Sequence, residues 1–170
     1  MLKPVLLAAL LLMTQKPDNP AKEPEFGTIA GHVMAPDKTT IRQPLQVVVI
    51  PEPYRLMWNQ KLQQEVDNFW ERYKPALVQK KEFIFELYRA ACQDTLQFVL
   101  ARMSRDLGSG LSRYRSNTSP DGRFEFKNLP FSDYKVVAYG PVGSQTYCWT
   151  DSVEINSSAP QFLTMTKHVP

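Results

Sequence analysis

Ser119-Pro120-Asp121-Gly122-Arg123-Phe124-Glu125-Phe126-Lys127-Asn128-Leu129-Pro130-Phe131-Ser132-Asp133-Tyr134-Lys135-Val136-Val137-Ala138-Tyr139 is the stretch that decides the fold. Asp121-Gly122 is a two-residue turn signal, because glycine accepts a positive φ freely and aspartate can bond its own backbone. Pro120 presets the entry to the turn. Phe124 and Phe126 then alternate with Arg123, Glu125 and Lys127, the period-two pattern of a strand with one buried face. Asn128-Leu129-Pro130 ends that strand, since proline has no N–H to give a ladder. Ser132-Asp133 predicts a further bend. Tyr134, Val136 and Ala138 alternate with Lys135, Val137 and Tyr139 as far as Gly140-Pro141. The whole stretch reads as a β-hairpin arm, a tight corner and a second strand.

The same rhythm continues on both sides. Phe26 to Met34 predicts an early strand. Leu45 to Ile50 is β-branched and almost wholly apolar, as a central strand requires. Thr146–Trp149, Ser152–Ile155 and Gln161–Thr166 are three more short candidates. Seven or so short strands, divided by Pro, Gly, Asn and Ser, predict a mainly β chain folded as a sandwich.

The spacing of Gly31 and Val33, then Leu45, Val47 and Val49, then Asp121, Gly122, Phe124, Phe126, Leu129, Pro130, Tyr134, Val136 and Ala138 resembles the carboxypeptidase regulatory-like domain. The resemblance covers about residues 26–50 and 112–167. It implies a seven-stranded β-sandwich of the Ig/transthyretin-like (prealbumin-like) kind. The matching residues are structural, so the resemblance implies a scaffold and no reaction. The family has glycine just before the tyrosine, where this chain has Asp133. Aspartate tolerates a left-handed backbone, so the corner is expected to survive.

A chain of 170 residues suits one domain with an insertion. Its net charge of +3, from 20 basic and 17 acidic residues, is too balanced to point to nucleic acid. Met1-Leu2-Lys3, the apolar run Val5–Met13 and the polar, proline-rich stretch Thr14–Glu25 have the layout of a signal peptide. The run is far short of the roughly 20 residues that span a bilayer. We therefore expect a signal peptide over 1–20, a tether over 21–25, a secreted or periplasmic chain, and no transmembrane span after signal removal. Export makes a disulfide between Cys92 and Cys148 chemically open; two unpaired buried thiols are the alternative. Asn117-Thr118-Ser119 and Asn156-Ser157-Ser158 match glycosylation acceptors, which matter only in a eukaryotic secretory route.

Between Ile50 and Ser112 the period changes. Leu62, Val66, Phe69, Trp70 and Tyr73 fall on one helical face. Pro75 is expected to break or kink that helix. Leu77, Ile84, Leu87, Tyr88, Ala91, Thr95, Phe98, Arg102 and Met103 mark a second helix of about 30 residues, roughly 45 Å long, ending at Gly108-Ser109-Gly110. This predicts a helical hairpin inserted at about 54–107 in a sandwich over 26–170. Phe83, Phe85, Leu96, Val99 and Leu100 are apolar beyond the main stripe. Either the hairpin folds over one sheet as extra core, or Phe83, Phe85, Leu96 and Leu100 form an interaction surface for a protein partner or a second copy.

No catalytic constellation stands out. His32 and His168 are the two histidines, and no HxH, HExxH or CxxC spacing exists, so no metal site and no cofactor are expected. No GxSxG elbow or phosphate-binding glycine loop is present. A Ser-His-Asp set is not excluded by spacing, but nothing nominates one. Glu82 and Glu86 sit a turn apart among Lys80, Lys81 and Arg89 and read as ion-pair partners. The expectation is a non-enzymatic, exported module that mediates protein–protein interaction or self-assembly through its hairpin. The alternative is a carbohydrate- or small-ligand-binding module using Trp58, Trp70 and Trp149 in a pocket between hairpin and sheet.

Overall fold

Val47-Val48-Val49-Ile50 carries no alternation because both faces of its strand are covered. Val47 and Val49 face one hydrophobic cluster, and Val48 and Ile50 face another. That arrangement follows from three layers: a small sheet, a larger sheet, and a pair of helices on the far side of the larger one. The structure is a computed structural model and describes residues 25–36, 39–80, 82–166 and 168–169. The expected signal peptide and all of the tether except Glu25 lie outside those residues, as do Lys81 and the side chains of Leu77, Glu82 and His168.

The strands are β1 (Phe26–Val33), β2 (Gln46–Pro51), β3 (Arg115–Asn117), β4 (Arg123–Pro130), β5 (Ser132–Val142), β6 (Gln145–Ile155), β7 (Gln161–Met165) and β8 (His168–Val169). They form a three-stranded sheet in the order β4-β1-β7 and a five-stranded sheet in the order β3-β2-β5-β6-β8. β1 pairs antiparallel with β4 and parallel with β7. The first core lies between the sheets and gathers Ile29, Val33, Leu45, Val47, Val49, Phe124, Phe126, Leu129, Tyr134, Val136, Ala138, Trp149 and Met165, among others. The chain is thus a β-sandwich with a helical insertion.

Several details differ from the reading of the sequence. The Asp121-Gly122 turn does not close a hairpin: β3 before it belongs to the larger sheet and β4 after it to the smaller one. Gly122 is still required there, with φ of 84° and an added Cβ that would stand 2.6 Å from the Val33 carbonyl oxygen. Gly31 is needed for space, since a Cβ would meet the Phe124 ring at 2.5 Å and the Leu163 carbonyl oxygen at 2.8 Å. At the second corner the left-handed residue is Asn128, with φ of 57°, and not Asp133. Asp133 lies in β5 opposite Glu154. The corner is held instead by the buried Tyr134, whose hydroxyl donates to the Pro130 carbonyl at 2.6 Å. The candidates Thr146–Trp149 and Ser152–Ile155 are one strand, β6. Thr150 and Asp151 bridge them by pairing with Val137 and Val136.

The insertion is two helices, α1 (Tyr54–Gln79) and α2 (Glu82–Leu107). Pro75 lies inside α1, which continues past it. α2 has 26 residues, about 39 Å of helix, and passes at Gly108 into a 3-10 turn that leads to β3.

Candidate partner-binding surface on the helical hairpin

The second core is the contact between the hairpin and the outer face of the larger sheet. Tyr54 and Trp58 from α1, and Cys92, Leu96, Val99, Leu100 and Met103 from α2, pack on Val48, Ile50, Val137 and Cys148. The α2 positions advance by steps of three and four, so they form one stripe. Cys92 and Cys148 are bonded within this core, with Cα atoms 6.6 Å apart, and tie α2 to β6. A polar rim surrounds it. Tyr54 donates to Asp106 at 3.2 Å, Tyr139 donates to Gln93 at 2.6 Å, and Arg89 donates to Gln145 at 3.4 Å. The Arg102 guanidinium, 2.8 Å from Asp106, holds that carboxyl below the usual carboxylate range.

The same stripe continues towards the hairpin tip. Tyr88 is one turn before Cys92 and Phe85 two turns before it, on the same face. Arg89 reaches the start of β6, where its guanidinium lies 5.9 Å from the Tyr147 ring centre. N-terminal of that point the stripe is uncovered: Phe85 is 44% and Tyr88 40% exposed. Trp70, Tyr73 and Phe83 are exposed to a similar degree. Between the helices here lies a cleft of about 240 Å³, lined by Val66, Asp67, Phe69, Trp70, Ile84, Leu87 and Tyr88. The Phe69 and Tyr73 rings are 6.3 Å apart on α1, and Lys80 places its ammonium 5.5 Å from the Phe83 ring centre.

This geometry separates the residues expected to act together. Phe83 and Phe85 are exposed on the distal hairpin. Leu96 and Leu100 are not surface residues: they are buried in the helix–sheet core, because the sheet extends beneath their part of α2. The three tryptophans do not share a pocket. Trp58 lies in the helix–sheet core, and Trp149 lies in the sandwich core with its indole N–H donating to the Met34 carbonyl at 3.1 Å. Trp70 is the one of the three at a surface cleft. The sequence pattern puts Tyr88 on the main stripe of α2 and Phe85 outside it; the stripe that the sheet covers is the one through Cys92, Leu96, Val99 and Met103, and Phe85 lies on it. The end of the sheet beneath Phe85 and Tyr88 has no signature in the helix itself.

Ser119, His32 and Asp121 do meet, at the corner before β4. Their bonds are those of a turn. The Ser119 hydroxyl donates to the Asp121 carboxylate at 2.5 Å and holds that carboxyl below its usual range. The His32 imidazole instead meets the Asp121 main-chain carbonyl at 2.6 Å. In a triad the histidine stands between the serine and the carboxylate, and here the serine spends its proton on the carboxylate directly. Among the described residues no group of three or more His, Cys, Asp and Glu side chains could hold a metal ion. Among them also, no helix is long and apolar enough to cross a membrane.

No family model matches the chain, and no curated protein matches it. A solved structure to which it is similar is a Pseudomonas aeruginosa protein provisionally described as carbohydrate binding. It is 15% identical, with 87% of this chain and 92% of that chain covered and a TM-score of 0.39. A similarity of that size decides neither the fold type nor a ligand for this chain.

Proposed function

We propose that this chain is a non-catalytic, exported module of the carboxypeptidase regulatory-like, transthyretin-type class, and that it binds a protein partner through the tip of its helical hairpin. The observation that carries the reading is the apolar stripe of α2, which outruns its cover at Phe85 and Tyr88 beside the open cleft between the helices. Aromatic side chains half out of water around an apolar cleft are the usual anchors of protein interfaces. The cleft suits the apolar face of an amphipathic helix, which would complete a three-helix contact. The Cys92–Cys148 bond fits an oxidising compartment.

The test is selection of displayed fragments from the exported proteome of the source organism, against the wild type and a Phe85→Glu/Tyr88→Glu variant. Fragments bound by the wild type should be lost with the variant, whose melting curve should be unchanged. Leu96→Glu should abolish folding, because it buries an unpaired charge. If wild type and tip variant select the same fragments, the reading fails. A second reading, carbohydrate binding, draws on Trp70 beside Asp67 in the cleft, an exposed ring next to an acceptor. Glycan titration with and without Trp70→Phe, read by tryptophan fluorescence, tests it.

A further inference from the structure

Among the described residues the two sheets end in four edge strands: β4, β7, β3 and β8. Free edges offer unpaired N–H and C=O groups to any other strand, and folded proteins guard them with charge, proline, bulges or brevity. β4 is guarded by Arg123, Glu125 and Lys127, by Pro130, and by a register shift opposite Gly27 and Ile29. β3 has three residues, one of them Arg115, and β8 has two. β7, Gln161-Phe162-Leu163-Thr164-Met165, has no charge, no proline and no glycine. On its outer face Phe162 is 78% exposed, more than any other large apolar side chain among the described residues. Its neighbour across β1 is Ala30, which does not shield it.

From these observations we infer that β7 is a dimerisation edge, and that its partner is β7 of a second copy of this chain in antiparallel register. The strand is neutral, so two copies meet without like-charge repulsion. Centring the pair on Leu163 sets Phe162 opposite Thr164 twice and Gln161 opposite Met165 twice, and keeps every side chain on its own face. Each Phe162 ring then covers the other copy's Thr164. The two three-stranded sheets become one continuous sheet. Both five-stranded sheets, and both hairpins, lie on the same side of it. The inference stands on the sheet edge and is independent of what the tips bind.

The test is native mass spectrometry and sedimentation equilibrium of the secreted, disulfide-bonded chain over a concentration series. Wild type should dimerise. Phe162→Lys/Thr164→Lys changes two outward-facing side chains and should raise the dimer dissociation constant by at least about tenfold without lowering the melting temperature. The hairpin variant Phe85→Glu/Tyr88→Glu should dimerise like wild type. Amide hydrogen exchange over 161–165 should slow as wild type is concentrated and not in the lysine variant. A monomer at all concentrations overturns the proposal. So does a dimer that survives the lysine pair, or one lost in the hairpin variant. A monomer carrying an extended peptide along β7 also overturns it, since the edge is then another chain's site.

Discussion

Reducing the Cys92–Cys148 bond should weaken the protein substantially while leaving the hairpin docked. The bond spans 56 residues of sequence and joins the middle of α2 to β6. In the chain-entropy account, closing a loop of that length removes about 14 cal/mol/K from the unfolded chain, or about 4 kcal/mol at 25 °C. Reduction keeps both sulfurs, so it leaves no cavity, and the effect falls on the unfolded state. Leu96, Val99 and Met103 still pack on Val48, Ile50 and Val137 without the bond. A domain with an ordinary margin of about 5–15 kcal/mol therefore stays folded. The assay is guanidinium unfolding of the oxidised and reduced chains under otherwise identical conditions. The reduced chain should show the lower midpoint and a steeper slope, because its unfolded state exposes more surface. Hydrogen exchange in α2 should remain slow under native conditions. A difference below about 1 kcal/mol would refute the reasoning, for it would mean the unfolded chain already holds this loop closed. Loss of protection in α2 on reduction would refute it differently, by making the bond, and not the core, what docks the hairpin.

Thr95 is fully buried in α2 and its hydroxyl has no hydrogen-bond partner among the described residues. Thr95→Val should therefore stabilise the fold by up to about 1 kcal/mol, measured as a higher denaturation midpoint. Asp106 has a carboxyl pKa held below its usual value first by the Arg102 hydrogen bond. Its charged form thus contributes stability above the unfolded carboxylate pKa of about 3.9, and that contribution is lost as pH falls through the lower folded value. The gap in urea midpoint between wild type and Asp106→Asn should be flat from neutral pH to about 5 and close below that. A gap that instead widens on acidification would reverse the sign and remove the ion pair as its cause.

The parts of the fold that were legible are those where one residue's environment repeats along the chain. Val47 to Ile50 announced a strand covered on both sides, and the change of period after Pro51 announced two helices. Periodicity says which residues share a face and is silent on what lies opposite. Leu96 and Leu100 look surplus in the sequence of α2, and become core only because β2, β5 and β6 run beneath them. Phe85 continues the same stripe, and stays exposed because the sheet ends first. The Cys92–Cys148 pairing needed the Cα separation, which no spacing supplies. Arg115-Ser116-Asn117 was unreadable as a strand because three polar residues carry no alternation, and its pairing with β2 fixes it. Thr150-Asp151 looked like a gap for the same reason, and β5 supplies the ladder that carries β6 across it.

These failures bear on where the function lies. A large apolar side chain that the fold leaves uncovered marks a place where the fold alone does not explain the sequence. Phe85, Tyr88 and Trp70 at the hairpin tip are one such place, and Phe162 on β7 is another. The two are differently built. At the tip the apolar side chains surround a cleft, so what fits there is shape, and an added carboxylate should abolish it. On β7 a single ring stands beside Ala30 on an unguarded edge, so what fits there is a backbone ladder, and the side chain serves register more than affinity. A lysine at position 162 and a glutamate at position 85 should therefore act on separate events, association of copies and capture of a partner. If instead either change disturbs both, the two surfaces form a single interface, and the division drawn between them is wrong.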